Sequence, residues 1–208
     1  MPVLLELFAG TGSMGRAFRQ EGWEVISVDI DPDVIASIHT DVRLLTPAMV
    51  GNVDLIWASP VCTEFSRART TAKTPRDLDW ADSPVQAVID LARELRCPAM
   101  FENPESGLLR HRAIVAGIPY RVVDYCKYAD IRFPHTARKR TAIWCVDVAW
   151  EPERPLCKHD CGYCTGRRHN ETAQRGPSRP GQRRHTLQEL YAMPPLLCEE
   201  IATWATLN

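Results

Sequence analysis

One stretch near the start limits the folds open to this chain more than any other. Residues 3–8 form an apolar run broken only by Glu6, and the run ends in Ala9-Gly10-Thr11-Gly12-Ser13. A helical pattern follows from Met14 to about Glu21, with Gly22 as its stop signal. Residues 24–30 read as a second strand ending in Asp29-Ile30-Asp31, and Pro32 then opens a short helix through Ile38. A glycine turn between strand and helix, with an acidic strand end about 20 residues on, is the arrangement of a nucleotide-binding β-turn-α-β unit. The glycines alone carry little; their pairing with Asp29 carries more.

The same alternation continues. Residues 53–58 are a buried strand, 78–83 a loop, and 84–95 a helix with Val85, Val88, Ile89, Ala92 and Leu95 on one face. Residues 98–101 lead a strand into Glu102-Asn103-Pro104, and 120–128 and 141–146 are further strands. Strands alternating with helices predict an α/β fold with a doubly wound, mostly parallel sheet. At 208 residues this is one domain with room for a small appendage. From Trp150 to about His185 the periodicity vanishes, which marks a separate small element or a long loop.

Composition narrows the setting. The hydrophobic fraction of 45% and the charged fraction of 25% are those of a soluble globular protein. No stretch approaches the length needed to span a bilayer, and no basic leader precedes the first strand, so a cytoplasmic protein without membrane contact is expected. Eight cysteines, scattered except for one cluster, suggest free thiols plus a metal site. The net charge of −1 hides three basic groups. Arg67, Arg69, Lys73 and Arg76 form the first, and Arg132, Arg138, Lys139 and Arg140 the second. The third comprises Arg167, Arg168, Arg175, Arg179, Arg183 and Arg184. They read either as solvated loops or as a polyanion-binding face; their place beside the chemical motifs favours the face.

Cys62 stands just past the end of the strand at 53–58, in Ser59-Pro60-Val61-Cys62-Thr63-Glu64-Phe65-Ser66. In open α/β sheets ligands bind outside the carboxyl ends of strands, so a thiol there is placed for chemistry. A buried packing cysteine is the plain alternative. Four motifs now stand in order: Leu5-Glu6-Leu7-Phe8-Ala9-Gly10-Thr11-Gly12, the Cys62 stretch, Phe101-Glu102-Asn103-Pro104, and Arg138-Lys139-Arg140. Together they resemble the S-adenosylmethionine-dependent DNA (cytosine-5) methyltransferases, and among them the short members encoded by phages and prophages. The resemblance covers residues 3–146 and about 185–205.

That resemblance implies a class I methyltransferase fold and roles for particular residues. C5 of cytosine is too poor a nucleophile to take a methyl group directly, and a thiolate added at C6 makes it an enamine carbon that can. Cys62 resembles the family nucleophile. Glu102 resembles the carboxyl that meets N3 of the base, where a raised pKa lets it donate a proton. Arg138 and Arg140 resemble the arginines that support the base and the carboxyl through planar hydrogen bonds. The implied cofactor contacts are Phe8, Gly10, Thr11 and Gly12 at the methionine end and Asp29 and Ile30 at the ribose. Asp41 and Val42 would lie at the adenine, with Pro60 and Met193 alongside. The chain departs from the family pattern at Val61, Thr63, Pro104, Thr136 and Tyr191, and none of these removes the thiol, the carboxyl or the arginines.

The resemblance makes residues 1–148 and 186–208 the catalytic domain and 149–185 an insert in place of a full target-recognition domain. The insert holds Cys157, Cys161, Cys164 and His169, four soft ligands suited to a structural zinc ion, with His159 competing with His169; unmetallated thiols are the alternative. The implied partner is double-stranded DNA, from which a cytosine is flipped, and the implied state is a monomer in a bacterial host cell. RNA methylation by the same chemistry, or an idle protein that binds DNA and cofactor, are the other readings.

Overall fold

A computed structural model gives the fold and describes every residue except 68, 70, 71, 133–135, 177 and 178. The first strand, β1 (Val3–Leu7), runs through the Gly turn into α1 (Ser13–Gln20), and β2 (Glu24–Asp29) returns beside it in parallel. A two-residue edge strand, β3 (Ile38–His39), a short α2 (Pro47–Val50) and β4 (Leu55–Ala58) follow. Next come α3 (Leu78–Leu95), β5 (Ala99–Pro104), β6 (Tyr120–Asp124) and β7 (Arg140–Val146). The seven strands form one sheet in the order β3-β2-β1-β4-β5-β7-β6. The first five are mutually parallel, and β7 runs antiparallel to both its neighbours. Beyond the sheet lie a small hairpin of β8 (Cys164–Thr165) and β9 (Arg168–His169), then α4 (Leu187–Tyr191) and α5 (Pro195–Leu207).

Both faces of the sheet are covered, which is why its strands read as nearly unbroken apolar runs. Alternate residues go to opposite cores. Leu4, Leu55, Trp57, Met100 and Ile143 pack with Met14 and Phe18 of α1 and Leu197 and Ile201 of α5. Leu5, Ile56, Ala99, Phe101 and Ala142 face the other way, onto Val85, Val88 and Ile89 of α3. Because β1 has β2 on one side and β4 on the other, the strand order switches direction between β1 and β4. The carboxyl ends at such a switch point are the place where sheets of this kind bind ligands. Among the described residues no helix is long and apolar enough to cross a membrane.

Two local expectations are corrected. Pro32 does not open a helix: Asp29 Oδ1 accepts the Asp31 amide at 2.9 Å and Asp31 Oδ1 the Asp33 amide at 3.0 Å, so the backbone turns and then enters β3. Short acidic side chains compete here with helical hydrogen bonding. Nor are residues 78–83 a loop, since α3 begins at Leu78, capped by Asp77, which accepts from the Trp80 amide at 2.8 Å. Pro84 sits inside that helix and cannot donate to the Trp80 carbonyl; the Ser83 hydroxyl donates to it instead, at 2.8 Å. The strand expected over 120–128 ends at Asp124, and a 3-10 turn at Tyr125–Lys127 carries the chain away from the sheet.

The crossing of α1 over β1 depends on Gly15. Glu6 is buried, and its Oε1 accepts the Gly15 amide at 2.9 Å. Burial pushes this carboxyl up from its usual range, opposed by the Gly15 amide. A Cβ at position 15 would collide with Glu6 Oε2. Gly15→Ala therefore destabilises the fold by about 1–3 kcal/mol of overpacking, in spite of a helix-propensity gain of about 1 kcal/mol. Thermal unfolding checks this: Tm falls, whereas an unchanged Tm would mean that the Glu6 side chain moves aside freely.

Candidate active site

Two loops meet at the switch point. The turn after β1 holds three left-handed residues, Phe8 (φ 56°), Gly10 (φ 48°) and Gly12 (φ 64°). The Gly10 amide donates to Asp29 Oδ2 at 2.9 Å, so the glycine turn and the acidic end of β2 are brought together. A Cβ on Gly10 would meet only the Phe8 carbonyl oxygen, at an ordinary 3.7 Å; the backbone angle is what calls for glycine, and the space above it is open to a ligand. Ile30, 66% exposed, lies next to Asp29. Met193 is buried beside the start of α1, its amide donating to Ser13 Oγ at 3.3 Å.

The adenine-side acid is differently placed. Asp41 caps a 3-10 turn at Val42–Leu44, accepting the Arg43 amide at 2.9 Å, and its carboxylate also pairs with the Arg43 guanidinium. That hydrogen bond holds the Asp41 carboxyl below its usual range.

The second loop carries Cys62 from the end of β4 and is fastened on both sides. Asn103 of β5, wholly buried, donates from Nδ2 to the Pro60 carbonyl at 3.0 Å. Downstream, Phe65 is buried and its carbonyl accepts the Leu108 amide at 2.9 Å. Glu64 accepts the Asp77 amide at 3.0 Å and pairs with Arg69 at 3.1 Å, while Arg76 donates to the carbonyls of Glu64 and Ser66. Between these anchors the Cys62 thiol stands half-buried.

Glu102 comes from the next strand, β5, and its Oε2 is buried with no hydrogen-bond partner among the described residues. Burial pushes its carboxyl up, and the Lys139 ammonium draws it back. The Cys62 thiol is pushed up first by burial and then by the negative charge of Glu102, again opposed by Lys139. Thiol, carboxyl and ammonium thus form one electrostatic unit. The Lys139 Nζ lies 4.8 Å over the Tyr125 ring and donates to the Leu190 carbonyl at 2.7 Å, on a backbone with φ 26°.

Lys139 lies between Arg138 and Arg140, the two arginines that the resemblance places at the base. Arg140 forks onto Asp124, Nε to Oδ1 at 2.9 Å and Nη2 to Oδ2 at 2.7 Å, and Arg138 lies 4.0 Å from the same carboxylate.

The metal-type residues regroup. Cys157, Cys161 and His169 gather with Cys126, all four donor atoms lying within 4.8 Å of one another. Cys164 is 3.6 Å from Cys161 and falls into a second group with His159 and His169. Nothing in the spacing marked Cys126, which reaches the cluster only through the turn after β6.

The basic groups divide in two. Arg69, Arg76, Arg132, Arg138, Lys139, Arg140, Arg179 and Arg183 are engaged within the chain. Arg67, Lys73, Arg167, Arg168, Arg175 and Arg184 are exposed.

Comparison with known proteins gives a consistent set. No family model matches the chain. The chain is 31% identical over 202 residues to the frog virus 3 (isolate Goorha) protein named Probable DNA (cytosine-5)-methyltransferase, covering 88% of this chain and 84% of that one. Among solved structures it is similar to a protein described as a DNA modification methyltransferase encoded within an Escherichia coli prophage. There the TM-score is 0.52 and the identity 19%, over 70% of this chain and 46% of the other. It is also similar to the Spodoptera frugiperda DNMT2 triple mutant E260A/E261A/K263A (TM-score 0.50, 21% identity, 74% of this chain and 53% of that). The Entamoeba histolytica methyltransferase EhMeth is a third (TM-score 0.52, 12% identity, 75% and 56%). The chain spans about half the length of these solved structures, and at such identities they speak for the fold.

The shared electrostatics make a prediction of sign. Glu102→Gln removes the charge that opposes the thiolate, so alkylation of Cys62 by iodoacetamide begins at lower pH than in the wild type. Lys139→Met removes the opposing cation, so the profile moves to higher pH. Mass spectrometry of the labelled Cys62 peptide across a pH series measures both; shifts in the same direction would refute the coupling.

Proposed function

The chain belongs to the DNA (cytosine-5)-methyltransferase family, and from that membership we propose that it methylates C5 of cytosines in double-stranded DNA, with Cys62 as nucleophile. The observation that carries this reading is a Cys62 thiol that feels the charge of Glu102, whose buried Oε2 has no hydrogen-bond partner among the described residues, at the carboxyl ends of β4 and β5. An orphaned buried polar atom beside a nucleophile is a place for a substrate group to bind.

Enzymes of this kind use S-adenosylmethionine, and the crevice suits it. The left-handed turn at Phe8, Gly10 and Gly12 with open space above Gly10, together with Thr11, would receive the methionine end. Asp29, held by the Gly10 amide, keeps acceptor capacity for ribose hydroxyls. The exposed Ile30 side chain and Val42 would flank the adenine, with Pro60 and Met193 closing the pocket. Asp41 could reach the adenine amine only while also serving Arg43. When bound, S-adenosylmethionine supplies an electrophilic methyl group.

The protein's own groups prepare the base. C6 cannot be reached within the stack, so the cytosine is taken out of the duplex. Glu102, its carboxyl raised from the usual range by burial, donates to N3. The Cys62 sulfur then bonds to C6, and the ring electron pair becomes available at C5. Lys139 offsets negative charge as it accumulates on the thiolate and the carboxylate. Loss of the C5 proton expels the thiolate and restores the ring. Arg138 and Arg140, drawn to Asp124, hold the start of β7 so that Lys139 faces the site. Residues 149–185 serve as a short DNA-contacting insert, whose exposed Arg167, Arg168, Arg175 and Arg184 suit phosphate contacts.

Nucleoside mass spectrometry after incubation with S-adenosylmethionine tests this. Duplex DNA gains 5-methylcytosine with the wild type and none above background with Cys62→Ser. If tRNA gains the mark and DNA does not, the substrate reading falls and the chemistry stands. If neither changes while cofactor binds, the catalytic reading falls.

A further inference from the structure

The cluster around Cys126 lies outside the methyl-transfer site and calls for its own explanation. Cys126 and Cys157 are buried, at 2% and 5% exposure, and Cys161 and His169 are half-buried. His169 Nε2 lies 3.5 Å from Cys157 Sγ and 3.4 Å from Cys161 Sγ. One ring nitrogen carries at most one proton or one lone pair, so it cannot make a good hydrogen bond to both sulfurs at once. A cation at the centre satisfies all four donors together. For a tetrahedral zinc ion with ordinary bond lengths, the sulfur-to-nitrogen edge is about 3.6 Å, close to both measured distances.

We propose that Cys126, Cys157, Cys161 and His169 hold one zinc ion, and that this ion fastens the insert to the catalytic domain. Three thiolates and an imidazole select a soft divalent metal over magnesium or calcium. The ligands come from two places. Cys126 sits in the turn directly after β6, and the other three belong to the insert. The two parts already touch there, where the Cys157 amide donates to Asp124 Oδ2 at 2.9 Å. Within residues 149–185 the described buried side chains are Trp150, Cys157 and His185, too few to order the segment by hydrophobic burial. Left-handed backbone at His159 (φ 69°), Gly162 (φ 82°) and Gly166 (φ 60°) lets so short a stretch fold its donors inward. Cys164, beside Cys161 and 3.8 Å from His159 Nδ1, stands on the outer side and is not a ligand in this assignment.

The test uses the full chain, purified under reducing conditions and supplied with zinc or cobalt. Elemental analysis finds one zinc per chain. Competition with a chromogenic chelator shows affinity reduced about tenfold or more in Cys126→Ser, and unchanged in Cys164→Ser. In the cobalt form, thiolate-to-metal absorption corresponds to three sulfurs and survives Cys164→Ser intact. Should Cys126→Ser fail to fold, the cobalt spectra of the wild type and of Cys164→Ser decide alone. A wild type that takes up neither metal overturns the proposal, as does a Cys126→Ser protein with wild-type affinity or a Cys164→Ser protein that loses the ion.

Discussion

A carboxylate without access to solvent, Asp124, governs the half of the molecule where the chemistry gathers. It ends β6, accepts both arms of the Arg140 fork, attracts Arg138, and takes the amide of Cys157. A buried charge is tolerable only with such a full set of partners, and removing one side of a buried pair costs about 3–5 kcal/mol. The partners are therefore held in place. With Arg138 and Arg140 committed to Asp124, Lys139 between them is turned to the other side, toward the Tyr125 ring and the charge on Glu102. One buried acid thus holds two arginines at the start of β7 and ties Cys157 to the end of β6.

The other half rests on sheet topology. Parallel strands with both faces buried leave their carboxyl ends as the free rim. The reversal of strand order between β1 and β4 parts the connecting segments there. Into that gap fall the glycine turn on one side and the Cys62 loop on the other. Asn103 ties the Cys62 loop to β5, so thiol and carboxyl ride on adjacent strands joined by a short hydrogen bond. Burial raises both the Cys62 thiol and the Glu102 carboxyl from their usual ranges, and Lys139 opposes both shifts.

Much of this was legible residue by residue. The run at 3–8, the glycine turn and Asp29 announced the first unit, because a left-handed turn and a strand-end acid are local requirements written in residue type. Cys62 and Glu102 could be placed for the same reason: each lies just past, or within, a recognisable apolar strand. Local chemistry also misled. Pro32 and Pro84 both read as helix starts, yet Asp29 and Asp31 turn the backbone around the first, and the Ser83 hydroxyl repairs the helix around the second. Those outcomes depend on particular side-chain hydrogen bonds that periodicity does not record.

By itself the sequence determined the class of fold, the order of the motifs, and the chemical kinds of group available to the site. These follow from residue type and spacing, which act over one turn of helix or one strand. Only the tertiary structure decided that Arg138 and Arg140 pair with Asp124 while Lys139 bonds the Leu190 carbonyl, and that Arg69 and Arg76 secure the Cys62 loop. It alone brought Cys126 to cysteines more than 30 positions away. Such choices turn on which face of a strand a side chain takes and on where a turn after β6 releases the chain. Both are settled by packing between segments distant in sequence.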